Sequence, residues 1–211
     1  LKEKTNINQK EGEINIISAI NNRRSIRRYQ SKEVSRDMIE EILQSAILAP
    51  SAKNRQPWRF IVATGNAKKE ALAAMRKGLI REQEHPLLAG SVQHLSGAEF
   101  TLRIMEQAPV LIFIVNPYGI DIHRSLNPEE RIYELCNTQS IGAAIENMTL
   151  TATELGLGSL WICDTYFAYQ ELCEWLNTEG ELLAAMTVGY SDEAPAARPR
   201  KEMAEVVEWR D

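Results

Sequence analysis

PVLIFIV, Pro109 to Val115, is a nearly continuous apolar run, and a run with no polar alternation reads as a strand covered on both faces. Such a strand needs a layer packed on each side, so its flanks decide the architecture. Downstream, Asn127, Pro128, Glu129 and Glu130 supply an N-cap, a first-turn proline and two acids at the positive end of a helix dipole. The helix they launch is expected to run to about Leu155. Ile141, Ala144, Ile145, Met148 and Thr151 lie on one side of it, with the small Gly142 and Ala143 beside them, and Gly156 and Gly158 close it. A helix this long and this apolar belongs near the centre. Ser159 to Cys163 then reads as a short strand, Ala168 to Leu176 as a helix and Leu183 to Tyr190 as the last clear strand.

Upstream of the run, Phe100, Leu102, Ile104 and Met105 give Glu99 to Gln107 a helical stripe. Trp58 to Ala63, WRFIVA, has the β-branched and aromatic content of a strand, and Asn66 opens a helix expected to stop at Gly78. Ser35 is placed to cap an earlier helix with Asp37 in its first turn and Ile39, Ile42, Leu43, Ala46 and Ile47 as its buried stripe. A short helix from Ile14 to Asn22 should bury an apolar face and end in a basic run. Between Gly78 and Gly97 the pattern is weak, and this stretch is the candidate for a mobile cover. The tail from Ser191 to Asp211, with Pro195 and Pro199, looks extended. The sum is an α+β (mixed α/β) chain: one domain over residues 1–211, with a sheet of about four or five strands flanked by helices.

The 211 residues are 44% hydrophobic, enough for one sizeable core. A net charge of -5 argues against a nucleic-acid partner, which needs a positive surface excess. Cys136, Cys163 and Cys173 form neither a disulfide framework nor a CxxC pair, so a reducing, cytoplasmic setting is expected. The polar opening LKEKTNINQKEGE has no apolar leader, and no later stretch reaches a membrane-spanning length, which implies a soluble protein with no membrane partner. Leu1 stands where an initiating Met would, which leaves room for a segment ahead of it.

Nucleophile-elbow, zinc-helix, P-loop and EF-hand patterns are missing from the sequence, and Gly156-Leu157-Gly158 fails the dinucleotide fingerprint because Trp161 holds the third glycine position. His85, His94 and His123 are too scattered for a recognisable metal site, so no metal is expected. Two clusters stand out. RRSIRRY, Arg23 to Tyr29, surrounds Ser25 with four arginines whose planar donors suit a phosphate; a solvated charge run at a helix end fits the same residues. PSAKNRQPW, Pro50 to Trp58, puts small Ser51 and Ala52 where backbone can approach a flat ligand, and adds the amides of Asn54 and Gln56. A plain helix-to-strand loop fits that segment too.

Together the clusters resemble the nitroreductase family, which carries an R-R-S-x-R stretch followed by an A-P-S-x-x-N-x-Q-P-W segment. Both are nearly complete here, as RRSIR (Arg23 to Arg27) and APSAKNRQPW (Ala49 to Trp58). NMTLTATELGLGSLWICD (Asn147 to Asp164) and ARPRKEMAEVV (Ala197 to Val207) extend the likeness across most of the chain. The resemblance implies a nitroreductase-like fold with a mostly antiparallel sheet, an intertwined homodimer and FMN as cofactor, with NADH or NADPH as hydride donor. Carried over residue by residue, Arg23, Arg24, Ser25 and Arg27 would hold the FMN phosphate and part of the flavin edge, and Arg198 or Arg200 would join them from the tail. Pro50, Ser51 and Ala52 would line the flavin from the partner subunit, with Asn54 and Gln56 supporting that loop and Gln139 also at the cofactor. Ile162, Cys163 and Asp164 would pass the flavin ring, with a backbone N–H near N5.

Residues 78–124 would cover the substrate, and residues 191–211 would reach the partner. Cys163 stands where family members often place glycine or glutamate after the Trp-Ile pair, and Asp164 follows it, which puts a thiol or a negative charge near the reactive edge; Cys163 reads either as a redox partner or as packing. Chemistry would belong to the flavin, with no dedicated catalytic side chain. One site used in turn by donor and acceptor implies ping-pong kinetics, with a nitroaromatic, quinone, enone or free flavin as acceptor. Alternatives are a flavin-binding protein without turnover, or a variant with dehalogenase or other reductive chemistry.

Overall fold

Local sequence signals account for most elements of the computed structural model, which describes residues 16–86, 90–177 and 179–210. The first helix, α1, covers Ile16–Asn22; Ile14 and Asn15, where the sequence pattern starts it, lie outside the described residues. Only Ala19 of α1 is buried, and Ile16, Ile17 and Ile20 stand exposed, so the expected apolar face is left uncovered by this chain. In α2 (Arg36–Ile47) the Ser35 side chain accepts from the Met38 N–H, and Ile39, Ile42 and Ala46 are buried as their spacing requires.

A strand, β1 (Arg59–Ala63), leads into α3 (Gly65–Glu84). Here the sequence misleads, because α3 runs through Gly78 to Glu84. A Cβ at Gly78 would sit 2.3 Å from the Ala168 Cβ and 2.8 Å from a Glu171 carboxylate oxygen. Gly78 is therefore where two segments approach closely, and it does not end the helix. A 3-10 turn at Ser91–His94 precedes α4 (Leu95–Gln107), which delivers the chain to β2 (Val110–Asn116).

Every residue of β2 is buried, as the PVLIFIV run demands. Truncating its wholly buried Phe113, whose ring centroid lies 5.2 Å from that of Trp175, would cost about 3–5 kcal/mol. This buried strand divides the 78–124 interval, so a cover drawn from it is restricted to the residues on either side of β2. The long helix α5 (Pro128–Glu154) starts with a reciprocal capping box between Asn127 and Glu130. After Gly156, in the left-handed region at φ 72°, come β3 (Gly158–Ile162), a 3-10 turn at Asp164–Ala168, α6 (Tyr169–Leu176) and β4 (Glu181–Gly189). The tail, which the sequence presents as wholly extended, contains one short helix, α7 (Met203–Val206), capped by Glu202 and Glu205.

The sheet order is β1-β2-β4-β3 and all three pairings are antiparallel. Ile112 and Ile114 of β2 face α2 and α5, with Ile42, Ile141, Ile145 and Met148 in the same cluster. Leu111, Phe113 and Val115 face the other way, into a cluster with Met75 and Leu79 of α3, Ile104 and Met105 of α4 and Leu172 of α6. The sheet is thus the middle of three layers.

Candidate functional site

The basic segment is held as a strand-like edge. Past α1, Ile26 N–H donates to the Ser159 carbonyl at 2.9 Å, and Gln30 N–H donates to the Tyr190 carbonyl at 2.9 Å. Ile26 and Tyr29 are buried, and the Tyr29 hydroxyl donates to the Ile26 carbonyl at 3.0 Å and lies 2.7 Å from the Thr187 hydroxyl. Burial is the main cause that pushes the Tyr29 phenol well above its ordinary range, so it stays a neutral anchor. With Ile26 and Tyr29 turned inward, the arginines between them turn out. Close approach is again secured by glycine: a Cβ at Gly158 would meet Ile26 at 2.8–2.9 Å.

The outward residues build a cleft of about 350 Å³ lined by Arg23, Arg24, Ser25 and Arg27 together with Ala197, Arg198 and Arg200 of the tail. Five arginines from segments far apart in the chain thus line one cleft. Their hydrogen-bond partners are mostly carbonyls: Arg24 donates to the Asn21 and Arg23 carbonyls, Arg27 to that of Ser25, and Arg200 to those of Arg198 and Pro199. Among the described residues only Arg23 of these five has a carboxylate within reach of its side chain, Glu146 of α5 at 3.7 Å. Arg28 leaves the cleft and pairs with Glu193 at 3.5 Å. A cleft with excess positive charge and exposed donors can take a doubly charged oxyanion.

The second cluster is placed elsewhere. None of Pro50, Ser51, Ala52, Asn54 and Gln56 lines the arginine cleft; instead their loop rests on α5, where Ala52 N–H donates to the Ser140 hydroxyl at 3.3 Å. Gln139, exposed, is the neighbour of that hydroxyl on α5. The Ser51 hydroxyl accepts from Gln56 N–H at 2.9 Å, and Lys53, Asn54 and Gln56 all adopt positive φ, near 50°. Three such residues in one short loop cost free energy, and that strain concentrates where a backbone shape is needed. The neighbouring Arg55 stacks over Tyr118 at 4.4 Å and Tyr133 at 5.5 Å.

Ile162, Cys163 and Asp164 sit at the far end of β3 from Ser25, which bridges Ser159 near the strand's start. Ile162 is buried and Cys163 exposed, while the Asp164 carboxylate accepts from the Thr101 hydroxyl on α4. Desolvation, then the charge of Asp164, pushes the Cys163 thiol up, which disfavours a thiolate. Sequence reasoning found neither Thr101 nor Tyr118 and Tyr133, because their partners are distant in the chain and no local pattern marks them.

A model of the nitroreductase family matches residues 20–190. Curated relatives include a protein of Methanothermobacter thermautotrophicus provisionally named an NADH dehydrogenase/NAD(P)H nitroreductase, 29% identical over 76% of this chain and 67% of its own length. A protein of Archaeoglobus fulgidus with the same provisional name is 32% identical over 69% of this chain, and the match spans 66% of that relative, just under two thirds of its length. Among solved structures, the FMN complex of a provisionally assigned nitroreductase from Desulfovibrio desulfuricans matches at 26% identity, 94% and 98% coverage and a TM-score of 0.68. A BluB-like flavoprotein from Clostridium difficile 630 superposes at a TM-score of 0.74, with 26% identity and coverage of 94% and 100%.

Proposed function

We propose, for a chain that belongs to the nitroreductase family, that it is an FMN-dependent oxidoreductase taking hydride from NADH or NADPH and passing electrons to a nitroaromatic, quinone or similar acceptor. The observation that carries this is the convergence of Arg23, Arg24, Arg27, Arg198 and Arg200 on one cleft beside Ser25. Their charge suits a phosphate monoester, for which arginine offers planar, bidentate donors. The solved relative from Desulfovibrio desulfuricans is an FMN complex, which favours FMN over other phosphates.

When bound, FMN supplies the hydride acceptance and the onward electron transfer. Arg23, Arg24, Ser25 and Arg27 would hold its phosphate, with Arg198 and Arg200 closing the cleft over it. Ile162, Cys163 and Asp164 would border the ring, the Cys163 backbone offering an N–H toward it. Pro50, Ser51 and Ala52 would line the ring of the partner's flavin, with Asn54, Gln56 and Gln139 shaping that wall. These side chains bind, orient and exclude water, and none is asked to form a covalent bond.

A homodimer fits this division of the site. Ile16, Ile17 and Ile20 of α1 and Ile132, Tyr133 and Leu135 of α5 are exposed apolar residues, the kind of surface a second copy covers. The tail, residues 191–211, would reach across to the partner, and the segments flanking β2 within 78–124 would cover the acceptor. Three free thiols suit a cytoplasmic setting. One pocket serving donor and acceptor in turn gives ping-pong kinetics, seen as parallel double-reciprocal lines.

The test is an absorbance spectrum of the purified protein followed by anaerobic NADH and then NADPH. Oxidised-flavin bands that bleach support the reading and name the donor. A yellow protein that neither nucleotide bleaches is a flavin binder without turnover. A colourless protein that FMN cannot reconstitute overturns the assignment.

A further inference from the structure

Asp164 opens the 3-10 turn two residues past the end of β3, at the end of the strand that the functional reading gives to the flavin ring. It lines a cavity of about 450 Å³ together with Phe167, Gln93, His94 and Ser96. The Thr101 hydroxyl on α4 donates to the Asp164 carboxylate and so fixes which way it points. No ion pair engages Asp164 among the described residues. The arginines of the phosphate cleft belong to the other end of β3. At a rise of about 3.3 Å per residue Ser159 and Cys163 are roughly 13 Å apart. The arginine cleft thus lies well away from this cavity, where Asp164 is the acid in the lining and His94 the other titratable side chain. Phe167 adds an apolar wall against which a flat ring can lie.

We infer that this cavity is the acceptor subsite and that Asp164 makes it select cationic or hydrogen-bond-donating aromatic compounds over anionic ones. The inference rests on the flavin reading for what the cavity serves, and on the carboxylate's placement for what it prefers. Thr101 is a positioning residue that acts through Asp164. A carboxylate with no ion pair among the described residues, close to a ligand charge, discriminates between a cation and an anion by on the order of tenfold.

The experiment uses the purified protein saturated with FMN. Calorimetry measures Kd for benzyltrimethylammonium and for benzoate, and steady-state assays compare kcat/KM for 4-nitrobenzyltrimethylammonium and 4-nitrobenzoate. The expected result is a cation preference of about tenfold that shrinks as salt rises and collapses toward unity in Asp164→Asn. Thr101→Val should lower the preference partway, through KM rather than kcat. If Asp164→Asn does not fold, Thr101→Val and the salt series still decide. An Asp164→Asn protein with an undiminished preference, or tighter binding of benzoate by the unaltered protein, overturns the inference. Cation-selective binding in a protein that neither NADH nor NADPH bleaches keeps the selectivity and removes the functional reading. Bleaching and turnover with no charge preference remove the selectivity alone.

Discussion

At the Gly158–Gly189 end of the β3–β4 pair, five arginines line an open cleft; at the other end, the first residue of β4, Glu181, is buried with further carboxylates around it. Glu181 accepts from the Ile122 N–H and Glu134 of α5 from the Ile120 N–H, so the two pin the loop after β2. Among the described residues, one oxygen of each has no hydrogen-bond partner. Burial first, then the charges of Asp121 and Glu134, raises Glu181 to about 7. Like charge is thus tolerated in two ways. The arginine end stays open to solvent and keeps its charge, which a ligand can use. At the carboxylate end, burial and neighbouring charge make Glu181 hold a proton more readily than an exposed carboxyl does. A cluster of like charge points to a ligand where it stays hydrated and charged.

The sharpest way to break the comparison is to remove charge from the arginine end. Arg23→Ala with Arg27→Ala should lower FMN affinity more than a hundredfold, on the order of 3 kcal/mol for two charge-assisted contacts. Unchanged flavin content in that double variant would falsify the phosphate assignment. At the opposite end, Glu181 holds a proton in the folded chain up to about 7 and would lose it near its ordinary 4.5 when unfolded. Its contribution to stability is therefore complete below about 4.5 and lost as pH rises through 7. Glu181→Gln, neutral throughout, should flatten that decline and stabilise the protein by on the order of 2 kcal/mol at pH 8, read by urea unfolding across pH. Parallel profiles for the two proteins would show that the proton is held elsewhere.

Truncation before Ala197 removes Arg198 and Arg200 while leaving the RRSIR segment in place. FMN affinity should fall about tenfold, or sedimentation should show a weakened dimer; a stable, yellow, dimeric truncated protein would refute the role of the tail. The smallest effect belongs to Ser140→Ala, which frees the Ala52 N–H and should cost about 1 kcal/mol. Its readout is FMN affinity beside thermal stability, since the loop on α5 lies outside the arginine cleft.

Much of this was legible in local sequence. The PVLIFIV run, the Ser35 cap and the Asn127–Glu130 capping box are short-range signals, and each formed where its chemistry directs. Gly78 misled because a glycine that permits close packing has the same letter as one that ends a helix. Strands alternating with helices along a chain say nothing of strand direction; here the pairings are all antiparallel. At the site, the arginine cluster was visible in RRSIR because its members are neighbours. Its meeting with Arg198 and Arg200 was visible only through the family resemblance. Thr101 and Asp164, Arg55 and the two tyrosines it stacks on, and the proton on Glu181 depend on tertiary burial that no window of sequence contains.

Helix α5 carries, within two turns, a contact to each of the two proposed sites of a dimer: Ser140 holds the 50–56 loop, which the proposal gives to the partner's flavin, and Glu146 reaches Arg23 at this chain's own cleft. Six residues at 1.5 Å each separate these contacts by roughly 9 Å along the axis. The helix is therefore a ruler. A single residue inserted between Ser140 and Glu146 would turn one contact by about 100° against the other, leaving each wall intact and the two sites out of phase.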